Sequence, residues 1–138
     1  MKIKRKATAV WKGAGKTGKG TLSTQSGVLK DSNYGFSSRF EDGEGTNPEE
    51  LVGAAHAGCF SMKLAFVLQE NDFEAEEINT ESQVILEDGA IKEVFLITKV
   101  KVAGLENDKF TEMVNDAKDN CPISKLLDAK INLEAELL

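Results

Sequence analysis

The chain has 138 residues, 41% of them hydrophobic, which supports one ordinary globular core and is too short for two typical ones, so a single domain over residues 1–138 is expected. With 17 basic against 23 acidic residues the net charge is −6, which on average repels phosphate backbones and anionic lipid head groups and makes nucleic acid an unsuitable partner. Two cysteines are too few for a disulfide scaffold or a four-thiolate zinc site, leaving free thiols or a redox pair.

The start, MKIKRKATAVWKGAGK, is basic but lacks the following apolar run of a secretory signal, so a cytoplasmic protein is expected. All eight basic residues through Lys30 precede the first acidic one, Asp31. Such a segment can form a local anion-attracting face, and the favoured reading is a solvated strand edge protected by lysines. From Lys2 to Phe40 the runs AVWKG, GTLSTQSGVL and YGFSSRF, divided by glycines and polar turn residues, predict two or three antiparallel strands. The glycines at 13, 15, 18 and 20 fit no phosphate-binding loop and read as a flexible hairpin.

A helix start follows at Asn47, a capping residue type, with Pro48 at the first helical position and Glu50 at the third, where its carboxylate can reach back to the cap. The helix should run to about Glu70, with Cys59 in its middle. Its apolar residues, from Leu51 to Leu68, cover almost every side, so a sheet is expected on one flank and another subunit on the other. Lys63, His56, Ser61 and two glycines within that stretch argue for a core helix rather than a membrane span.

Two strands, Glu77 to Leu86 and Ile91 to Val102, are joined by Asp88-Gly89, a pair that favours a tight hairpin. A helix from Asp108 to about Asn120 carries Phe110, Met113, Val114 and Ala117 on one face. Pro122 ends it at Cys121 and opens a short helix, Ile123 to Asp128. Ile131, Leu133, Ala135 and Leu137 alternate as a last strand. The class is α+β with mainly antiparallel sheet.

Four segments carry a resemblance: YGFSSRFEDGEGTNPEELVGAAHAGCF from Tyr34 to Phe60, GKGTLSTQSGVL, FLITKVKV, and NCPISKLL from Asn120. The chain resembles the OsmC family of peroxidases over essentially its whole length. The resemblance implies an intertwined homodimer built around a long central helix in each subunit. It also implies reduction of organic hydroperoxides at the expense of dithiols, lipoyl groups being the preferred reductant. AAHAGCF, with His56, resembles the OsmC branch, whereas the organic hydroperoxide resistance branch usually carries Tyr there.

By this resemblance Cys59 is the peroxide-attacking residue, and physics adds a requirement. Only a thiolate attacks a peroxide oxygen, an unperturbed thiol is roughly 3% ionised at pH 7, and apolar burial lowers that fraction further. A cationic partner is therefore needed. Arg39 matches the family's arginine position and its guanidinium stays charged where a lysine need not. By resemblance Glu49 is the carboxylate that steadies it. Glu50 is assigned to the helix cap, and His56, one turn before Cys59, to packing or hydrogen bonding rather than proton transfer. Glu49 and Cys59 are ten residues apart, about 15 Å along a straight helix and roughly 80° around it. Either the helix breaks near Gly53, or Arg39 and Glu49 of the partner subunit serve Cys59. The second reading also accounts for a helix without a polar face.

Cys121 is the expected resolving thiol. In its position before Pro122 it lies near the N–H groups of the short helix, which favour a thiolate, and to bond with Cys59 its Cα must come within about 7 Å. The cycle would pass through a Cys59 sulfenic acid and a disulfide that a dithiol reopens. Phe36, Phe40, Phe60 and Met62 are candidates for an apolar entrance. No cofactor, metal or membrane signature is present. Two competing functions use the same residues: binding of a small hydrophobic ligand without turnover, and a thiol-based redox sensor.

Overall fold

A computed structural model describes residues 1–138. They group into two compact units, Met1–Leu51 and Val52–Leu138. The first unit is a three-stranded antiparallel sheet of β1 (Ala7–Lys12), β2 (Lys19–Thr24) and β3 (Ser32–Tyr34), in that order. Gly20 on β2 has a packing reason to be glycine: a Cβ there would lie 2.4 Å from the Tyr34 ring and 2.6 Å from the Trp11 ring. Those two rings meet at 5.4 Å between centroids, so the sheet face is closed over bare backbone.

The predicted strand through YGFSSRF stops early. Only its first residue is in β3, and Phe36–Phe40 form a short helix, α1. Ser38 explains the change, because its hydroxyl accepts from the Gly35 N–H (2.9 Å) and lies 3.1 Å from the Gly35 carbonyl. A serine bonding its own neighbourhood in this way offers the backbone a turn in place of a sheet ladder. Arg39 thus stands on a helical turn and not on a strand.

The long helix is α2, Pro48–Glu70, which starts and ends where the sequence predicts and continues through Gly53. Asn47 Oδ1 accepts from the Glu50 N–H at 2.7 Å, as a helix cap should. The reciprocal half of the cap is absent: the Glu50 carboxylate takes a hydrogen bond from the Thr46 hydroxyl at 2.7 Å. Asn47 also donates from Nδ2 to the Ser38 carbonyl at 3.1 Å, tying the helix start to α1.

In the second unit, β4 (Ala75–Glu87) and β5 (Ala90–Val102) form the predicted hairpin. Asp88 and Gly89 both take positive φ, 50° and 78°, the tight-turn geometry that the Asp-Gly pair favours. β6 (Lys130–Leu137) then pairs with β5 in parallel. Parallel pairing requires a crossover, supplied by α3 (Asn107–Asn120) and α4 (Pro122–Leu126). Along β5, Val94, Leu96, Thr98, Val100 and Val102 are buried at a spacing of two. Of these, Leu96, Val100 and Val102 meet Phe60, Leu64 and Leu68 of α2 and Phe110, Val114 and Ala117 of α3 in one core. Thr98 is accommodated there by a chain of hydroxyls, 2.8 Å from Ser61 to Thr80 and 2.9 Å from Thr80 to Thr98. The architecture is α+β with mainly antiparallel sheet.

Candidate active site

In the first unit, Arg39 and Glu49 form a short ion pair. Both Nε and Nη2 of Arg39 reach the same oxygen, Glu49 Oε1, at 2.8 Å. The Arg39 guanidinium also lies over the Phe40 ring, 5.1 Å from its centroid. The Glu49 side chain is 12% exposed and that of Arg39 40%, so the carboxylate is committed to the protein while the cation faces outward. Because one oxygen takes both donors, Glu49 Oε2 is buried without a partner. A fully satisfied fork would have used both oxygens. The pair holds the guanidinium plane fixed and leaves Nη1 for another anion.

The second unit gathers the thiols. Cys59 is half-buried on α2, and Cys121 is fully buried at the junction of α3 and α4, where its extended backbone (φ −62°, ψ 126°) breaks one helix and caps the next. Both are free thiols, and Cys59 packs against the core cluster that contains Cys121. Burial pushes the Cys59 thiol above its ordinary range; the adjacent Cys121 raises it further, and the Ile123 N–H opposes the shift. The short helix therefore lends a backbone N–H to Cys59, where the sequence pattern had pointed only to Cys121. The net effect raises the Cys59 pKa and favours the protonated thiol.

His56 is buried one turn before Cys59. Its Nε2 lies 2.7 Å from the Ser124 hydroxyl, while Nδ1 meets no partner in the chain. Burial lowers its pKa, so the ring is neutral and suited to hydrogen bonding, in agreement with its sequence assignment. Ser124 was not legible as a functional residue. Its one signal was its place in the NCPIS run, three residues after Cys121.

Of the four apolar candidates, Phe60 is core, with no exposed surface. Phe36 and Phe40 stack at 5.0 Å beside Arg39, and Phe40 is exposed. Met62 belongs to an open flank of α2, where Ala54, Ala55, Gly58, Met62, Ala65 and Phe66 are all exposed. By length and composition α2 is apolar enough to cross a membrane, but its other flank packs into the core around β5.

The OsmC-like protein family is matched by residues 41–136. The chain is 45% identical to Peroxiredoxin OsmC of Escherichia coli over 141 aligned residues, covering 99% of each protein. It is 32% identical to organic hydroperoxide resistance protein OhrB of Bacillus subtilis, covering 86% of this chain and 88% of that one. The crystal structure of the latter superposes with a TM-score of 0.68 at 29% identity over 96% of this chain and 98% of that one. An OsmC-like protein from Mycoplasma pneumoniae shares the fold at a TM-score of 0.78 and 14% identity, covering 100% and 99% of the two chains.

Proposed function

The chain belongs to the OsmC family, and from that premise we propose that it is a thiol-dependent peroxidase reducing organic hydroperoxides through Cys59 and Cys121. The observation that carries the two-cysteine cycle is the pair of free thiols gathered in one core cluster, contributed by α2 and by the α3–α4 junction. The Cys59 thiolate attacks the distal oxygen of the hydroperoxide. The O–O bond breaks, the alkoxide leaves as alcohol after taking a proton, and Cys59 becomes a sulfenic acid. The Cys121 sulfur then displaces the hydroxyl as water and closes a disulfide. A dithiol, for which dihydrolipoamide is the proposed compound, reopens it by exchange and departs oxidised. A cytoplasmic setting suits this cycle, since thiol reductants are held there.

Arg39 supplies the missing cation. Burial and the neighbouring Cys121 hold the Cys59 proton on, so the attack requires a positive charge beside the thiol. The Arg39 guanidinium, fixed by Glu49 and still outward-facing, has the right charge and a free Nη1. Ten positions of unbroken helix, about 15 Å of axis, separate Glu49 from Cys59. Arg39 and Glu49 of the partner subunit are therefore the proposed pair for each Cys59. The open apolar flank of α2 supports a homodimer in which the two long helices pack together.

Consumption of cumene hydroperoxide under excess dihydrolipoamide, compared between wild type and Cys59→Ser, tests the proposal. Repeated turnover abolished by the substitution is the expected result. A single stoichiometric oxidation would identify a thiol sensor instead, and no consumption a binder of apolar ligands.

A further inference from the structure

The pair formed by His56 and Ser124 lies outside the chemistry just described, yet it frames both reacting sulfurs. His56 is three residues before Cys59 and Ser124 three residues after Cys121, one helical turn in each case. The 2.7 Å contact between Nε2 and the serine hydroxyl joins α2 directly to α4. α4 has little else to fix it. It is five residues long, too short to be stable alone, and Pro122, Lys125 and Leu126 are exposed, Leu126 at 73%. Ile123 is its half-buried attachment to the core, and the Ile123 N–H is the group that opposes the upward shift of Cys59.

Packing does not account for the histidine. Its site is fully enclosed and its Nδ1 has no partner, a cost that an apolar side chain of similar size would not incur. Ser124 is its one hydrogen-bonding contact in the chain.

We infer that the hydrogen bond between His56 and Ser124 is a positioning latch that seats the Cys121 turn against Cys59, so that the sulfenic acid closes to the disulfide before it can be lost. The inference rests on the two-cysteine reading and assigns these residues to its second step. In that step the S–O bond of the Cys59 sulfenic acid breaks and the S–S bond forms. The hydroxyl leaves as water with the Cys121 proton, and no outside electron donor takes part. His56 and Ser124 are positioning residues; they exchange no proton with the peroxide.

Ser124→Ala removes the latch at a half-buried helical site, Ser124→Thr keeps the hydroxyl, and His56→Phe fills the enclosed site without a bond. Two readouts separate positioning from general stability. In dithiothreitol redox buffers, the effective concentration of Cys121 at Cys59 should fall about tenfold in Ser124→Ala and His56→Phe, the worth of one buried hydrogen bond. For this two-electron couple a tenfold fall is a potential shift of about 30 mV. Ser124→Thr should stay within about twofold of wild type by the same scale. After one equivalent of cumene hydroperoxide, dimedone should trap more Cys59 sulfenic acid in the first two variants, while the total peroxide consumed in that single turnover is unchanged. Disulfide stability and closure at wild-type values in both Ser124→Ala and His56→Phe would overturn the latch and leave the peroxidase reading intact. The potential shift without peroxide consumption by any form, wild type included, would uphold the latch and overturn the peroxidase reading.

Discussion

Phe66→Glu places a charge on the open flank of α2. Phe66 is 53% exposed and Met62 66%, so roughly half of each side chain remains to be covered. Complete burial of such a side chain contributes about 1.5–3 kcal/mol, which gives about 0.75–1.5 kcal/mol for each uncovered half. In the proposed dimer a two-fold interface would use every residue twice, so the four side chains together would contribute about 3–6 kcal/mol to association. Phe66→Glu removes about half of that and brings two carboxylates into an apolar seam, a loss that raises the dimer dissociation constant by at least about a hundredfold. The fold itself should persist, because Phe66 is not among the buried core residues. Sedimentation velocity across a dilution series measures the association, and turnover of cumene hydroperoxide is followed at the same concentrations. Turnover should fall in step with the dimer fraction. A monomeric Phe66→Glu with full turnover would refute the composite site, since Arg39 of the partner subunit would then be dispensable.

Glu49→Gln keeps the shape of the side chain but turns a charge-assisted contact into a neutral one; kcat/KM for cumene hydroperoxide should drop on the order of tenfold, and an unchanged value would remove Glu49 from the site. Asn47→Ala loses both the cap to Glu50 and the tether to Ser38, and urea unfolding should show a loss of about 1–2 kcal/mol, with Asn47→Asp, which retains the cap, falling between the two. The pH dependence of His56 follows from its burial: its folded pKa lies below the ordinary 6.5, so as pH falls the unfolded chain takes up the proton first. Its contribution is therefore complete above about pH 6.5 and is lost as pH falls from there toward the folded pKa. The stability of wild type relative to His56→Phe should decline between pH 7.5 and 5.5, and parallel unfolding curves would contradict this.

The parts of the fold legible in the sequence were those in which one local signal has one outcome. Asn47-Pro48 began the long helix, Asp88-Gly89 closed the hairpin, and Pro122 divided α3 from α4. The strand assigned to YGFSSRF failed because its alternating apolar pattern competes with the Ser38 hydroxyl, whose bonds to Gly35 turn the chain. The parallel pairing of β6 was invisible to periodicity, which is the same for either direction. At the site, the pairing of Arg39 with Glu49 and of Cys59 with Cys121 came from the family resemblance, and spacing along the chain would not have given either. Cys59 and Cys121 stand 62 positions apart, and only the crossover through α3 brings them together. Glu50 followed the capping-box pattern, yet Thr46 presented a nearer donor and took the carboxylate. Ser124 carried no signal of its own, because a serine in a short helix is ordinary until a buried histidine is found opposite it.

The central claim is that the Cys59 sulfur is the nucleophile that takes the oxygen atom from the peroxide. Cys121→Ser removes the resolving thiol, so one equivalent of cumene hydroperoxide followed by dimedone should leave a single adduct on the peptide containing Cys59. An unmodified Cys59 in that protein, with the peroxide either untouched or consumed elsewhere in the chain, would contradict the account.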